Sequence, residues 1–166
     1  NMSKSIENLK SAFAGESQAS MKYRAFALQA DAEGFGQAAR LFRATELAET
    51  IHAHNHLKVL GELGSTQENL QTGINGETYE FTEMYPAFDK DAKEENNTDA
   101  IRTFMYASEA EKVHADLYKK YLSEMKSGAA AVDVYVCMIC GHVAENEAPE
   151  TCPICGAKTA AFRKID

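Results

Sequence analysis

A Glu-x-x-His motif occurs twice in this sequence and constrains the fold more than any other feature. The first pair is Glu49 and His52, and the second is Glu111 and His114. Residues three apart on a helix lie on one face, so each carboxylate and imidazole can bind the same metal ion. Two such pairs are half of a carboxylate-bridged di-metal site in a four-helix bundle, where the other two helices contribute further glutamates.

Hydrophobic periodicity predicts four helices that could form this bundle. The predicted helices cover residues 3–33, 36–60, 67–95 and 98–126. In the third helix, Glu77 lies on the inward stripe, with Glu80 and Glu83 beside it. Pro86 lacks an N–H, so we expect it to disturb the third helix near these glutamates.

Each predicted helix places acidic residues near its midpoint, on or beside the stripe that must be buried. These residues are Glu16, then Glu49, then Glu80 and Glu83, and finally Glu111. A buried charge costs several kcal/mol unless something pairs with it. Iron and manganese accept carboxylate oxygen and imidazole nitrogen together, so two divalent ions would offset five carboxylates. One Glu-x-x-His pair arises easily by chance, but its coincidence with acids on all four helices predicts a di-metal site.

Tyr23 follows Glu16 by two helical turns on the same face. It either donates a hydrogen bond near the metals or is an ordinary core tyrosine.

Four cysteines form two Cys-x-x-Cys pairs near the C-terminus, at Cys137, Cys140, Cys152 and Cys155. In a chain without a secretory signal, this spacing favours a metal site over disulfides. Four thiolates hold one tetrahedral ion, and both zinc and iron accept that set. A small-residue linker at residues 128–132 precedes the pairs. We therefore predict a helical domain over residues 1–130 and a cysteine-bearing domain over residues 131–166.

Charge and hydropathy exclude several classes of function. The formal net charge is −8 and no basic cluster is present, which argues against nucleic-acid binding. No apolar run approaches the roughly 20 residues that cross a bilayer, and no signal-peptide core is present. We expect a soluble, cytoplasmic protein that binds no membrane.

The motifs together resemble those of the rubrerythrin family along essentially the full length. They are GESQAS around Glu16, the two Glu-x-x-His pairs, YEFTEMYP with Glu80 and Glu83, and the cysteine knuckles. The resemblance implies a mainly α fold, a ferritin-like four-helix bundle with a small C-terminal rubredoxin-like β-rich domain. It also implies reduction of hydrogen peroxide to water, as oxidative-stress defence in the cytoplasm.

The resemblance further implies the cofactors and their ligands. Two irons would be bound by Glu16, Glu49, Glu80, Glu83, Glu111 and His114, with His52 replacing Glu83 on reduction. One further iron would be held by the four cysteines, with zinc a possibility in recombinant protein. No nicotinamide or flavin motif is present, so electrons would come from a separate protein, a rubredoxin or an NAD(P)H-dependent reductase.

Two other functions and one other assembly remain open at this stage. The chain could be a ferroxidase of the ferritin kind, or a zinc-ribbon adaptor with a purely structural bundle. In ferritin-like bundles the second and third helices run parallel, yet residues 61–66 are too short for that crossover. We therefore expect a domain-swapped homodimer, with an up-down-up-down monomer as the alternative.

Overall fold

A computed structural model describes residues 3–125 and 130–166 of the chain. These residues fall into two compact units that divide between Gly64 and Ser65. The first unit is a helical hairpin of α1 (Lys4–Ala32) and α2 (Gly36–Leu60). The second contains α3 (Thr66–Tyr79), a π-helical turn (Glu80–Met84), α4 (Tyr85–Glu94), α5 (Thr98–Glu124) and a small sheet.

The first hairpin packs its helices closely because its buried positions are small. Among the described residues of this hairpin, the buried ones are Ala27 and Ala30 of α1 and Ala39 and Ala53 of α2. The predicted bounds of both helices are confirmed to within one residue. Ser3 caps α1 by accepting a hydrogen bond from the Ile6 N–H, and Gly61 ends α2 at φ 71°, where a side chain would be strained.

The third predicted helix is interrupted near its glutamates, as Pro86 led us to expect, and the interruption is a π-helical turn, which the sequence did not predict. The π-helical turn separates α3 from α4, and the Tyr85 N–H reaches the Glu80 carbonyl five residues back. Pro86 follows immediately and explains the break. Its missing N–H and its ring are incompatible with an α-helical bond to the Thr82 carbonyl.

The second hairpin joins α3 and α4 to α5. Ser65 and Glu68 form a capping box at the start of α3, and Asn97 caps α5. Gly73 lets α3 approach the ring of Tyr118, since a Cβ there would lie 3.1 Å from that ring. The predicted end of α5 at Lys126 lies outside the described residues, as does the start of the predicted linker 128–132.

A three-stranded antiparallel sheet in the order β2-β1-β3 follows the helices. Its strands are β1 (Val134–Cys137), β2 (Val143–Glu145) and β3 (Phe162–Ile165), with Val136 opposite both Val143 and Arg163. A mainly α chain with a small C-terminal β-rich part is therefore confirmed. The domain boundary predicted at residue 130 adjoins residues outside the description and stays a prediction. Within the described ranges, no helix is long and apolar enough to cross a membrane.

Candidate metal centres

The first hairpin brings together one carboxylate from α1 and a Glu-x-x-His pair from α2. Ligand atoms of Glu16, Glu49 and His52 all lie within 4.8 Å of one another. The His52 Nδ1 is 2.7 Å from the Glu49 Oε2, as the spacing of three residues predicts. The Glu49 side chain is 20% exposed, but that of His52 is 53% exposed. This group can therefore hold an ion while its imidazole remains open to solvent.

The second hairpin forms a matching group from α3 and α5. Ligand atoms of Glu77, Glu111 and His114 lie within 4.8 Å of one another. The His114 Nδ1 is 2.7 Å from the Glu111 Oε2 and 3.5 Å from the Glu77 Oε2. All three side chains are about one fifth exposed or less, at 20%, 16% and 19% for His114, Glu111 and Glu77. Each hairpin thus carries two glutamates and one histidine, and this second set is more enclosed.

A buried carboxylate oxygen of Glu77 indicates that the second group fits a cation. Burial, together with the neighbouring Glu111 carboxylate, raises the pKa of Glu77 to about 7. The Glu77 Oε2 is buried and accepts no hydrogen bond. A buried carboxylate oxygen without a donor is costly, and a metal ion would satisfy it.

His114 lies between groups that only accept hydrogen bonds. Its Nε2 is 2.9 Å from the Gly141 carbonyl oxygen, while its Nδ1 faces Glu111. Burial alone would lower the pKa of His114, but the bonds to Gly141 and Glu111 outweigh it and raise the pKa. Without a metal, the proton on Nδ1 occupies the position that a cation bound to the carboxylates would take.

The two glutamates predicted as ligands on the third helix differ in burial and in their neighbours. Glu80 begins the π-helical turn, is half-buried, and has a pKa raised by burial and by the nearby charge of Glu77. Glu83 is exposed and belongs to neither three-residue group among the described residues. Glu77, which the resemblance did not assign as a ligand, stands with Glu111 and His114. Its place on the inward stripe was the signal in the sequence that could have identified it.

A tyrosine stands in a cluster of three aromatic rings in each hairpin. Tyr23 packs against Phe26 and Phe42, with ring centroids 6.1 and 6.2 Å away. Tyr85 packs in the same way against Phe88 and Phe104, at 6.3 and 6.0 Å. Of these two tyrosines, only Tyr23 was predicted from the sequence to lie near the site.

The pKa of Tyr85 is also affected by the acidic residues of the second hairpin. Burial raises its pKa, and the charges of Glu80, Glu111 and Glu77 raise it further. Its phenol therefore stays protonated near neutral pH and can donate a hydrogen bond or a proton there.

The four cysteines converge at the loops beside the sheet. The Sγ atoms of Cys137 and Cys155 are 3.7 Å apart, and those of Cys140 and Cys152 are 3.5 Å apart. Disulfide sulfurs lie ~2.05 Å apart, whereas ligands held at ~2.3 Å around a tetrahedral ion lie ~3.8 Å apart. The spacing therefore fits four thiolates around one ion and does not fit disulfides.

Backbone donors support thiolate formation in this cluster. Burial alone would raise the pKa of Cys137, but backbone N–H groups of Ile139 and Cys140 outweigh it and lower the pKa to about 7. Burial raises the pKa of Cys140, so a bound cation is needed to hold all four sulfurs deprotonated.

This combination of sites defines a class of non-haem metalloproteins. Its members join helical hairpins that carry glutamate and histidine side chains to a site of four thiolates. Comparison with known families identifies the member of that class. Residues 7–122 match the family model described as rubrerythrin, and residues 135–163 match the rubredoxin-like domain of rubrerythrin. The chain therefore belongs to the rubrerythrin family, as the sequence motifs indicated.

Curated relatives and solved structures agree with this assignment. Rubrerythrin-2 of Clostridium acetobutylicum is 39% identical, over 93% of each chain. Nigerythrin of Nitratidesulfovibrio vulgaris is 41% identical, over 90% of this chain and 81% of its own length. A solved structure of partially reduced nigerythrin, 37% identical, covers 99% of this chain and 88% of its own with a TM-score of 0.60. These matches confirm the predicted fold class and place the chain in a family of oxidoreductases.

Proposed function

We propose that this protein is a non-haem di-iron peroxidase that reduces hydrogen peroxide to water in the cytoplasm. The observation that carries the proposal is the hydrogen bond of 2.9 Å between His114 and the Gly141 carbonyl. This bond connects the cluster of Glu77, Glu111 and His114 directly to the residue that follows Cys140. A ferroxidase for iron storage needs no electron inlet, whereas a peroxidase must be re-reduced after each turnover.

The proposed ligands of the two irons come from both hairpins. They are Glu16 and Glu49 from the first hairpin and Glu77, Glu80, Glu111 and His114 from the second. We propose Glu77 as a ligand in place of Glu83, which the resemblance had suggested. The Glu77 Oε2 lies close to the ligand atoms of Glu111 and His114 and has no hydrogen-bond partner. When bound, a pair of ferrous ions supplies the two electrons that reductive cleavage of peroxide requires.

One side chain of the second hairpin can supply a proton that water formation consumes. It is not Glu77, because a bound metal displaces the proton of that carboxylate. Tyr85 keeps its proton and is influenced by the charges of Glu80, Glu111 and Glu77. We propose that the Tyr85 hydroxyl donates to an oxygen of bound peroxide.

His52 is the proposed exchangeable ligand. Its side chain is 53% exposed, and among the described residues only Glu49 hydrogen-bonds to its ring. A neutral imidazole suits Fe(II), whereas a carboxylate suits the harder Fe(III). Because Glu83 is exposed, we propose that His52 exchanges with Glu80 instead.

The four-cysteine site is the proposed entry point for electrons. An iron held by four thiolates carries one electron at a time, which suits stepwise re-reduction. We propose that a separate donor protein, a rubredoxin or an NAD(P)H-dependent reductase, reduces this site. The Gly141–His114 bond then provides a short path toward the carboxylate site.

We propose a swapped homodimer in which each di-iron site combines the first hairpin of one chain with the second hairpin of its partner. Eleven residues separate Glu49 from Leu60, and eleven separate Thr66 from Glu77. A parallel crossover within one chain would therefore span roughly 33 Å at ~1.5 Å per residue. Residues 61–65 reach only about 18 Å when fully extended.

Stopped-flow oxidation tests the peroxidase proposal. The iron-loaded protein is reduced anaerobically and mixed either with peroxide or with dioxygen-saturated buffer. We expect peroxide to oxidise the carboxylate site far faster than dioxygen does, and equal rates would contradict the proposal. A red four-thiolate centre that bleaches on reduction distinguishes an electron carrier from a colourless zinc-ribbon adaptor.

Subunit mixing tests the swap. Glu49→Ala homodimers and Glu111→Ala homodimers each lack intact sites, whether or not the hairpins are swapped. When the two variants are refolded together, a swapped heterodimer regains one intact site per dimer, whereas an unswapped one regains none. Recovery of Fe(II)-dependent peroxide consumption on mixing supports the swap, and no recovery alongside demonstrated heterodimers contradicts it.

A further inference from the structure

The two histidines of the Glu-x-x-His motifs are held differently. In both, Nδ1 is 2.7 Å from the carboxylate three residues earlier. Only His114 also forms a hydrogen bond through its other ring nitrogen. Its Nε2 is 2.9 Å from the Gly141 carbonyl oxygen. A carbonyl can only accept, so this bond requires the hydrogen to be on Nε2. The Nδ1 lone pair of a neutral His114 is therefore directed toward Glu111 and Glu77.

The Gly141 carbonyl is positioned by the fold of the first cysteine loop. The Gly141 N–H donates to the Cys137 carbonyl at 2.9 Å, and the Gly141 backbone adopts φ 80°. The loop also lies directly on α5, since a Cβ at Gly141 would be 3.9 Å from the Cβ of fully buried Ala110. Ala110 and His114 are one helical turn apart, so the loop contacts both.

The order of this loop depends on its cysteines. Cys137 and Cys140 flank it, and they are gathered with Cys152 and Cys155 at distances that suit one bound ion. Without a cation the sulfurs take up protons and no shared ion holds the two Cys-x-x-Cys pairs together, so the ion-loaded state is the one in which the loop is well ordered. Metal binding by the four cysteines and the position of the Gly141 carbonyl oxygen are therefore linked.

We propose that Gly141 is a positioning residue of the carboxylate site, through which metal loading of the four cysteines raises the metal affinity of Glu77, Glu111 and His114. This inference rests on the proposed function, because it assumes that both sites hold metal. An outer hydrogen bond that fixes a ligating histidine typically contributes 10–100-fold in metal affinity. Since coupling is reciprocal, an occupied carboxylate site raises the metal affinity of the cysteines by the same factor.

Metal titration of the full-length protein measures this coupling without any assay of activity. One equivalent of Cd²⁺ fills the four thiolates, because soft thiolates select it, and Mn²⁺ then reports on the carboxylate site. Free Mn²⁺ is counted by its electron paramagnetic resonance signal. We expect Cd²⁺ loading to tighten Mn²⁺ binding about tenfold relative to the reduced protein with empty cysteines. Equal Mn²⁺ affinities in the two states would overturn the inference.

A matched pair of variants locates the coupling at Gly141. Gly141 and Gly156 each follow a Cys-x-x-Cys pair and have φ of 80° and 77°, but nothing lies within 4 Å of a Cβ at Gly156. Asparagine tolerates this backbone region, as Asn96 and Asn146 do here. A Cβ at Gly141 would only touch Ala110, but the larger amide of Gly141→Asn must also be accommodated against α5. We expect Gly141→Asn to shift the loop and abolish the Cd²⁺ effect, whereas Gly156→Asn should retain it. Equal behaviour of the two variants would contradict the role of Gly141.

Nitrogen-15 spectra of the histidine rings add a readout that stability alone would not change. In the Cd²⁺-loaded protein, saturated with Zn²⁺ at the carboxylate site, His114 should carry its hydrogen on Nε2 with Nδ1 bound to metal. A hydrogen on Nδ1 would overturn the assignment. This measurement uses the unaltered chain, so it remains decisive even if Gly141→Asn fails to fold.

Discussion

The two helical hairpins repeat the same residues at nearly the same spacing, and their differences separate two roles. In α2 and α5, phenylalanine, glutamate and histidine recur at Phe42, Glu49 and His52 and at Phe104, Glu111 and His114, with intervals of seven and three in both. The aromatic clusters around Tyr23 and Tyr85 correspond as well. Matching sets of donors and rings show that each hairpin is built to the same plan.

The helices that pair with α2 and α5 differ by one residue. Glu16 precedes Tyr23 by seven positions, whereas Glu77 precedes Tyr85 by eight. The π-helical turn Glu80–Met84 lies within this longer interval and absorbs the extra residue. Tyr85 thereby keeps its place among Phe88 and Phe104. Glu80 lies three residues after Glu77, where ordinary helical spacing brings it within reach of the Glu77 charge. The second hairpin gains another acidic residue beside its site, and the first does not.

Histidine environment is the second difference between the hairpins. The His114 ring is fixed on both sides and 20% exposed, whereas His52 is bonded on one side and 53% exposed. This difference agrees with the proposal that His52 exchanges at the metal while His114 stays bound.

Removing one glutamate from each hairpin gives the largest expected effect. Glu49→Ala and Glu111→Ala should each abolish binding of two metals at the carboxylate site, because the carboxylate next to each histidine is lost. Metal analysis and visible spectra should show the four-cysteine centre retained in both. Glu109→Ala is the control, since Glu109 is exposed on the same helix and pairs with Lys112. Loss of the four-cysteine centre as well would show that the two sites do not fold separately.

The next prediction tests the asymmetry created by the π-helical turn. Glu77→Gln should weaken metal binding at the carboxylate site on the order of 100-fold, whereas Glu83→Gln should change it less than about threefold. The two substitutions are chemically identical and lie six residues apart, on either side of Glu80. Calorimetric titration with Mn²⁺ compares them. Equal losses would return Glu83 to the ligand set.

The different positions of Glu77 and Glu83 also show how far the sequence alone predicts the site. Helical periodicity and the Glu-x-x-His spacing were sufficient to predict α1, α2 and α5 and the pairs Glu49–His52 and Glu111–His114. Those features depend only on local helical geometry. The regular period also placed Glu77 on the inward stripe, but the π-helical turn changes the register after it, so the period could not reveal that Glu83 is exposed. The Gly141–His114 bond joins residues 27 positions apart in the sequence, and no local rule predicts it.

The pH dependence of metal binding should follow from Glu77 of the second hairpin. Its pKa is raised to about 7 in the folded, metal-free chain, against 4.5 for an ordinary glutamate. The folded state holds this proton and the unfolded state releases it, so its contribution to stability is present at low pH and is lost as pH rises through about 7.

A bound metal must displace the same proton. Mn²⁺ affinity should therefore rise by up to about tenfold per pH unit below pH 7 and then level off, as far as this one proton is concerned. Titrations between pH 5.5 and 8 measure the slope. Glu77→Gln should flatten it and Glu83→Gln should not. A slope unchanged in Glu77→Gln would assign the displaced proton to another group.

The smallest expected effect concerns how the first hairpin is held together. The hydroxyls of Ser20 and Thr50 are 2.9 Å apart and join α1 to α2, one turn after Glu16 and directly after Glu49. The Thr50 hydroxyl also bonds the Glu46 carbonyl, so it keeps a partner when Ser20 is removed. Ser20→Ala should then lower the free energy of unfolding by about 1 kcal/mol. Ser17→Ala is the matched control, because the Ser17 hydroxyl bonds only within α1, to the Phe13 carbonyl. Urea denaturation of the metal-free protein measures both, and a loss in Ser17→Ala as large as in Ser20→Ala would show that the bond between helices adds nothing.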